Sequence, residues 1–258
     1  MMPNQLSLII KKEEQNKLFK EFYQYKTLSS TNETAKKLIQ NNGVANYFVV
    51  TSETQTQGKG RWGRKWLSPP GGLWCSLVLP EISVPSLRAT FSAVQTIRKL
   101  TSLTPGIRWP NDIIIGDKKI GGVLTEFVGN RHTCSLHEKL IIGVGININQ
   151  PNLPSELKNA TSLRIELRKG GCDDFITPTL QEFLVEFLDN FEKNLVVDEI
   201  VDKIREFLLL LGERVTVKVK DIVKTGEFFD IGSDGSLFLR EPTGIISKLA
   251  PSEVEFIR

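Results

Sequence analysis

The change of pattern at Gly212 constrains the fold of this chain more than any other feature of its sequence. From Gly212 onward, short runs of alternating apolar and polar residues predict strands. These runs cover residues 214–219, 227–231, 236–239, 244–249 and 254–257. A segment of roughly fifty residues with this pattern predicts a small β-barrel that gains stability by packing against a larger domain. We therefore expect two domains, residues 1–211 and 212–258.

The region before residue 212 mixes helical and strand-like patterns. Apolar residues at helical spacing predict helices over residues 86–102, 180–191 and 200–211, and a capping box at Ser30 to Glu33 predicts a further helix that stops near Gly43. β-rich runs predict strands over residues 47–51, 73–79, 107–109, 113–115, 120–128 and 139–148. The sequence therefore predicts an α+β fold, in which a mixed β-sheet with flanking helices precedes the small barrel.

Charge and composition exclude several classes of protein. The chain has 33 basic and 30 acidic residues and no polybasic tail, so we expect no nucleic-acid partner. Residues 11–25 are too few for a helix-turn-helix domain. The first residues do not have the pattern of a signal peptide, and no apolar run approaches membrane-spanning length, so we expect a cytoplasmic protein without a membrane partner.

The cysteines do not indicate a disulfide framework or a zinc site. Cys75, Cys134 and Cys172 are odd in number and have no C-x-x-C spacing. We expect them to be reduced residues of the core or of loops.

The segment most informative about function is glycine-rich and basic, and its sequence at 55–66 is QTQGKGRWGRKW. Glycines let backbone N–H groups approach phosphate oxygens. Lys59, Arg61 and Arg64 can neutralise the negative charge that opposes attack of a carboxylate on an α-phosphate. A flexible basic loop, or an RNA-binding loop with tryptophans nearby, has a similar composition. Taken alone, the segment leaves these interpretations open.

A second cluster combines RWPND at 108–112 with KKIGGVLTE at 118–126. Pro110 fixes the turn, so Arg108 and Asn111 can project from a rigid edge. Paired glycines weaken a strand that is otherwise β-branched. Gly121 and Gly122 therefore indicate either a bulge or a ligand that lies against the backbone.

The third element is GVGININ at 143–149. A single G-x-G is weak evidence, because it occurs wherever a strand must let another backbone come close. Asn147 is either a ligand of a nucleotide or of magnesium, or a turn residue with satisfied hydrogen bonds.

These elements, in this order and spacing, resemble the biotin protein ligase family from about residue 29 to the C-terminus. The family's Ser-Thr-Asn motif matches 30–32, its glycine-arginine loop matches 58–66, its Lys-Trp-Pro-Asn-Asp motif matches 108–112, and its Gly-x-Gly-Ile-Asn strand matches 143–147. The resemblance implies a class II synthetase-like catalytic core and a monofunctional form without an N-terminal DNA-binding domain. It also implies an ATP-dependent ligase that makes biotinyl-5'-AMP and transfers biotin to a lysine of a biotin carboxyl carrier protein.

The resemblance also implies roles for individual residues. Those implied to bind biotin are Ser30, Thr31, Asn32, Gln55, Gly58, Gly122 and Val123. Those implied to bind ATP or the adenylate are Lys59, Arg61, Arg64, Trp66, Asn111, Lys119 and Asn147. Arg108, Lys59 and Arg61 are the implied catalytic residues. Mg²⁺ is expected to enter with ATP and not to be held by the protein alone.

The chain departs from the family pattern at two positions, and one property stays open. Lys59 stands where the family has arginine, and Arg108 stands where it has lysine. The positive charge is kept, but the hydrogen-bond geometry is exchanged. The sequence does not distinguish a monomer from a homodimer.

Two other functions remain to be compared. A lipoate or octanoate ligase shares the adenylate chemistry, but its pattern places paired arginines before a glycine-rich run and adds a histidine-aspartate element. His132 and His137 lie in a predicted turn and edge, where a surface position is expected. An RNA-binding module would use the basic loop and the barrel, but it normally has a strongly basic face.

Overall fold

The computed structural model of the protein describes residues 18–40, 46–129, 139–169 and 177–256, and these residues form two β-sheets with flanking helices. The strands of the first sheet are β1 (Glu21–Leu28), β2 (Phe48–Gln55), β3 (Gly72–Leu79), β4 (Gly106–Arg108), β5 (Asp112–Ile115), β6 (Lys118–Val128) and β7 (Lys139–Asn147). The helices are α1 (Thr31–Gln40), α2 (Pro85–Leu100), α3 (Leu163–Lys169), α4 (Leu180–Leu195) and α5 (Ile200–Arg205).

The first sheet has seven strands in the order β1-β2-β3-β7-β6-β5-β4. Only β1 and β2 pair in parallel among these described strands, and the other neighbours are antiparallel. All eight residues of β3 are buried, because both faces of this central strand are covered. The predicted α+β fold with a mixed sheet is confirmed.

The helices divide between the two faces of the first sheet. Phe48, Val50 and Val78 pack with Ala35 of α1 on one face. Their sequence neighbours, such as Val49, point the other way and join the main core with residues of α2 and α4. The same alternation of side chains therefore builds both cores.

The second sheet contains the strands predicted after Gly212. Its strands are β8 (Arg214–Val219), β9 (Ile222–Ile231), β10 (Leu237–Arg240), β11 (Ile246–Leu249) and β12 (Val254–Phe256), in the order β11-β10-β9-β8-β12. The predicted small barrel is thus observed as a five-stranded antiparallel sheet, which we call the C-terminal sheet. Its buried residues are continuous with the main core.

Trp109 joins the two sheets at the edge that is important for the site. Its indole Nε1 donates a hydrogen bond of 2.9 Å to the carbonyl oxygen of Gly235, and its ring lies 6.4 Å from that of Phe256. Trp109 itself is buried. This contact holds the C-terminal sheet against the end of β4.

Three elements differ from the sequence predictions. The strand β1 and the helix α3 were not predicted. The predicted helix 200–211 ends at Arg205, because the following backbone pairs with β4 instead. Phe207 O accepts from Ile107 N at 2.7 Å, and Leu209 N donates to Ile107 O at 2.8 Å.

The remaining sequence predictions concern the cysteines, the two histidines and membrane-spanning helices. Cys75 is a free, buried cysteine, and burial raises the pKa of its thiol to about 12. Cys134, Cys172, His132 and His137 lie outside the described residues. In the described part of the chain, none of the helices has the length and apolar character needed to span a bilayer.

Candidate active site

A cavity of about 720 Å³ opens above strands β3, β7 and β6, between the glycine-rich segment and the C-terminal sheet. Its wall contains every predicted site residue except Gly58. Residues that the sequence did not single out also line it, including Asp112, Glu255, Phe256 and the segment 153–154 and 156–160. The four motifs, which are far apart in sequence, therefore meet in one place.

One end of the cavity is lined by neutral hydrogen-bonding groups. The backbone N–H of Thr31 donates to Gln55 Oε1 at 2.9 Å, and Thr31 Oγ1 donates to the same oxygen at 3.2 Å. Gln55 Nε2 donates to Ser68 Oγ at 2.8 Å. Ser76, a fully buried residue that sequence reasoning missed, lies 2.7 Å from Thr31 Oγ1 and 2.5 Å from Asn32 Oδ1.

The side chain of Asn32 is held on both of its polar atoms. Its Nδ2 donates to Glu126 Oε2 at 2.7 Å, while its Oδ1 accepts from Ser76. The Lys36 ammonium donates to Glu126 Oε1 at 2.7 Å. A Cβ at Gly143 would lie 2.4 Å from Asn32 Oδ1, so glycine at this position leaves the room that the amide occupies.

The predicted capping box at Ser30 is replaced by ion pairs. The Glu33 carboxylate contacts Lys36 at 3.2 Å and Lys59 at 3.0 Å. Hydrogen bonds from Lys59, followed by those from Lys36, lower the pKa of Glu33. The first turn of α1 is thereby connected to the glycine-rich segment.

The glycine-rich segment is folded back on itself. Trp66 N donates to Gly58 O at 2.8 Å, and Gly60 N donates to Arg64 O at 2.7 Å. A Cβ at Gly58 would lie 2.5 Å from Trp66 O, which explains the glycine there. Gly58 therefore shapes the segment rather than lining the cavity, and the amide of Gly60 is used within the segment.

Two arginines connect this segment to the C-terminal sheet. The Arg61 guanidinium donates to the carbonyl oxygens of Pro251 at 2.5 Å and Val254 at 2.9 Å, and to Asn111 Oδ1 at 3.3 Å. Burial lowers the pKa of Arg61. Arg64 forms an ion pair with Glu255. These contacts make β12 part of the cavity wall.

Two further cations meet at Asp112. Its carboxylate contacts Arg108 Nη2 at 3.0 Å and Lys119 Nζ at 2.5 Å. The side chains of Arg108 and Lys119 keep 36% and 29% of their surface exposed, so both are accessible from the cavity. This end of the cavity is therefore positively charged and suited to an anion.

Of the two interpretations of Gly121 and Gly122, the structure contains the bulge, and the contact with a ligand stays a prediction. The pairing register of β5 and β6 shifts between Ile113 and Ile114, which is the predicted bulge. A Cβ at Gly121 would lie 2.9 Å from Gly145 O, while Gly122 lines the cavity with Val123.

Trp66 packs edge-on against Trp74, with ring centroids 6.4 Å apart. A Cβ at Gly145 would lie 2.6 Å from Trp66 Nε1, so the G-x-G strand accommodates this indole. Its Nε1 is buried without a hydrogen-bond acceptor in the described part of the chain. The Lys119 ammonium lies 5.3 Å from the Trp66 ring centroid.

Asn147 lies at the end of β7 beside the segment 153–160. Its Nδ2 donates to Thr161 O at 2.9 Å, so its amide oxygen is the atom available for another partner. Among the described residues, no group of three or more histidine, cysteine or acidic side chains is placed to hold a metal ion.

The fold and the cavity define an α+β domain with neutral hydrogen-bonding groups at one end of its site and cations at the other. Its relatives agree with this class. A model of the Biotin/lipoate A/B protein ligase family matches residues 24–147. Residues 24–147 of the chain are therefore similar to this family.

Two curated proteins show the same similarity in sequence. "Bifunctional ligase/repressor BirA" of Bacillus subtilis is 43% identical over 146 residues, which cover 53% of this chain and 44% of that protein. "Biotin--[acetyl-CoA-carboxylase] ligase" of Paracoccus denitrificans is 30% identical over 127 residues, which cover 46% of this chain and 51% of that protein. The chain thus spans about half the length of these curated relatives.

The structural match is longer than the sequence matches. The structure of a biotin protein ligase from Aquifex aeolicus in complex with biotin and ATP has a TM-score of 0.78 and 29% sequence identity. It covers 93% of this chain and 100% of that chain. The similarity therefore includes both sheets.

Proposed function

We propose that this protein is a biotin ligase. It would join biotin and ATP to form biotinyl-5'-AMP and pyrophosphate, and then transfer the biotinyl group to a lysine of a biotin carboxyl carrier protein. The observation that carries this proposal is the division of one cavity into a neutral end and a cationic end. The names of the Paracoccus denitrificans relative and of the Aquifex aeolicus structure support the substrates.

The neutral end suits the ureido head of biotin. Thr31, Asn32 and Gln55 are side chains that both donate and accept hydrogen bonds, and they lie together in the cavity wall. Ser30 joins them at the start of α1. Gly122 and Val123 leave space along β6 for the tail that ends in the carboxylate.

The cationic end suits the reacting anions. The biotin carboxylate oxygen would attack the α-phosphorus of ATP, and the bond from that phosphorus to the bridging oxygen of pyrophosphate would break. Arg108, Lys119 and Lys59 would stabilise the negative charge that accumulates. In the second step the amine of the carrier lysine attacks the acyl carbon, AMP leaves with the bonding electrons, and the amine loses a proton.

Other residues would position the nucleotide. Trp66 offers an aromatic face, and Asn111 and Asn147 offer amide groups. Arg61 and Arg64 would act by holding the glycine-rich segment against the C-terminal sheet. The resemblance implies a second role for them, which is direct contact with the phosphate.

Magnesium fits the chemistry of the nucleotide end. Mg²⁺ prefers oxygen ligands, and the side chains of Asn147 and Glu156 in the cavity wall provide them. Bound with ATP, it would neutralise the triphosphate and stabilise the pyrophosphate leaving group. We therefore expect EDTA to abolish the biotin-dependent exchange of labelled pyrophosphate into ATP, and exchange that continues undiminished would contradict the requirement.

Mass spectrometry of a carrier domain tests the whole activity. After incubation with the protein, biotin and MgATP, we expect one lysine of the carrier to gain a biotinyl group. Parallel samples contain lipoate or octanoate instead of biotin, because the family model covers both kinds of ligase. Modification by lipoate or octanoate but not biotin would replace our proposal with the alternative.

Four further expectations from the sequence stay predictions. They are the division at residue 211, the cytoplasmic location, the lack of a nucleic-acid partner and the lack of a membrane partner. Each is separate from the ligation assay.

A further inference from the structure

We propose that Glu126 is a positioning residue that fixes which groups donate and which accept hydrogen bonds at the neutral end of the cavity. The proposal rests on the proposed biotin site, since it concerns the hydrogen-bond polarity that this site presents to the ureido group. Glu126 does not line the cavity, and sequence reasoning did not single it out. It acts through Asn32 and Ser76.

The orientation of Asn32 follows from its contact with a carboxylate. A carboxylate only accepts hydrogen bonds, so the atom of Asn32 that faces Glu126 at 2.7 Å must be the donor Nδ2. The Lys36 ammonium donates to the other carboxylate oxygen at 2.7 Å, so both oxygens of Glu126 act as acceptors. The acceptor Oδ1 of Asn32 is therefore directed at Ser76.

The orientation of Asn32 then determines the hydrogen of Ser76. An amide oxygen has no hydrogen to give, so Ser76 must use its single hydroxyl hydrogen at the 2.5 Å contact with Asn32. Ser76 is fully buried, which excludes water as an alternative partner. It cannot donate to Thr31 at the same time.

Thr31 is left as an acceptor toward the ligand. Its hydroxyl hydrogen points into the protein, where its acceptors are Ser76 Oγ at 2.7 Å and Gln55 Oε1 at 3.2 Å. The remaining lone pairs of Thr31 Oγ1 face the cavity, where they can accept a hydrogen bond from a ureido N–H. The series of hydrogen bonds from Glu126 through Asn32 and Ser76 thus keeps Thr31 as an acceptor for the ureido N–H.

Glu126→Gln should reverse the direction of the hydrogen bonds that lead from Glu126 through Asn32 and Ser76 to Thr31. Lys36 only donates, so the carboxamide oxygen at position 126 would turn to Lys36 and its NH₂ group would face Asn32. Asn32 would flip to accept from that group and present Nδ2 to Ser76. Ser76 would then donate to Thr31 Oγ1 across their 2.7 Å contact, which releases the Thr31 hydrogen and lets Thr31 act as a donor toward the ligand.

The test measures ligand preference in the full chain by calorimetry. The ligands are biotin and its two cyclic-carbamate analogues, in which one or the other ureido N–H is replaced by oxygen. We expect the parent protein to prefer biotin over one analogue by roughly ten- to hundredfold. In Glu126→Gln this preference should shrink to a few-fold or less. A purely structural role of Glu126 would weaken all three ligands in parallel.

Glu186→Gln is the matched control. Glu186 contacts Lys99 at 2.7 Å and accepts from Asn190 Nδ2 at 3.1 Å, so it has the same kinds of partner as Glu126 but lies on α4 outside the cavity wall. This variant should keep the parental preference. An equal change of preference in both variants, or none in Glu126→Gln, would overturn the inference.

A second measurement does not depend on a variant that must fold. Neutron diffraction of the deuterated parent protein should place the Ser76 deuteron toward Asn32 and the Thr31 deuteron inside the protein, toward Ser76 or Gln55. A Ser76 deuteron directed at Thr31 would overturn the inference. Failure of the parent protein to bind biotin at all would instead overturn the proposed function, and this inference with it.

Discussion

At the scale of single residues, Arg108 stands where the family pattern has lysine. This difference keeps the positive charge and changes the hydrogen-bond geometry of the side chain. The Arg108 guanidinium and the Lys119 ammonium share the Asp112 carboxylate, at 3.0 and 2.5 Å. A planar guanidinium makes two-pronged contacts that an ammonium cannot make. The pairing with Asp112 keeps Arg108 in place before the substrates arrive, which reduces the reorganisation needed in the transition state.

We predict that Arg108→Ala lowers the rate of adenylate formation by about 10²–10³, or about 3–4 kcal/mol, because it removes a preorganised charge from the reacting anions. Arg108→Lys should change the rate modestly in either direction. The measurement is single-turnover formation of biotinyl-adenylate at saturating biotin and ATP, which separates chemistry from carrier docking.

Arg240→Ala is a suitable control for this series. Arg240 pairs with Glu227 in the C-terminal sheet, away from the cavity wall, at 3.0 Å. The Arg240→Ala variant should form biotinyl-adenylate at the parental rate. A parental rate for Arg108→Ala would show that the role belongs to Lys59 or Lys119 instead.

A second prediction concerns the titration of Glu33. Hydrogen bonds from Lys59, then Lys36, lower its pKa, so the stability that these contacts provide is fully present above the ordinary carboxyl pKa and is lost as the pH falls through the lowered value. If Lys59 moves to the phosphate, the pKa of Glu33 should rise when biotinyl-adenylate binds, and it should rise likewise in Lys59→Met.

The pKa of Glu33 can be followed by carbon-detected NMR of the carboxyl groups. Asp234 provides an internal reference, because a hydrogen bond from Lys248 lowers its pKa and it lies outside the cavity wall. The titration of Asp234 should not respond to the adenylate. An unchanged pKa for Glu33 in the complex would mean that Lys59 stays on Glu33 and does not contact the phosphate.

The sequence was informative about residues whose chemical type is unusual for their surroundings. Basic side chains among glycines, such as Lys59, indicated an anion site, whereas a binding role for Thr31 came only from the resemblance to the family. Ser76 and Glu126 were missed, because a serine within an apolar strand and a glutamate on a mixed strand have no distinctive local pattern. Their positions depend on how β3 and β6 flank β7, which is a property of the sheet.

At the scale of elements, the glycine-rich segment and strand β12 support each other. Arg61 uses the carbonyl oxygens of Val254 in β12 and of Pro251 in the turn before it, and Arg64 adds an ion pair with Glu255. A buried guanidinium that loses its acceptors is costly, whereas an exposed ion pair contributes little. Arg61 should therefore control how firmly the segment is held.

We predict that Arg61→Gln makes residues 56–65 more sensitive to proteases in the absence of ligands, while Arg64→Gln has a small effect. Biotin together with ATP should protect the segment in the parent protein, because it contributes to the wall of the occupied cavity. Limited proteolysis with mass spectrometry of the fragments measures this. Equal cleavage with and without ligands would show that the segment does not close on the product.

Elements were predicted well where their pattern is local and poorly where a distant partner decides. The strands of the C-terminal sheet follow from alternation alone. The sequence from residue 206 continues the helical pattern of α5, yet its backbone hydrogen-bonds to Ile107. Pairing with β4 satisfies the same backbone groups and lets Leu208 pack into the main core, so the tertiary contact outweighs local helix preference.

At the scale of the whole molecule, the two predicted domains share one core. Phe228 and Val254 of the C-terminal sheet belong to the same buried cluster as Ile107 and Trp109. The sheet also supplies Phe256 to the cavity wall. The C-terminal sheet thus contributes both to the stability of the shared core and to the wall of the cavity. Experiments can separate these two contributions.

We predict that truncation after residue 211 leaves a folded but less stable chain that forms adenylate poorly. The seven-stranded sheet keeps its helices, but Arg61 loses its two carbonyl acceptors and Trp109 loses the oxygen that accepts from its Nε1. Circular dichroism with thermal melting measures the first effect, and pyrophosphate exchange measures the second. A full exchange rate in the truncated chain would show that the C-terminal sheet is not needed for the chemistry.

Trp109→Phe separates the two contributions in the full chain. It removes one donor at the junction of the sheets and replaces the indole by a smaller aromatic ring, while Arg61 retains its acceptors in β12 and in the turn before it. If the sheet acts through Arg61 and the cavity wall, this variant should melt at a lower temperature than the parent and keep most of the exchange rate. If the junction itself controls the site, stability and exchange rate should fall together, and the assignment of the effect to Arg61 would be wrong.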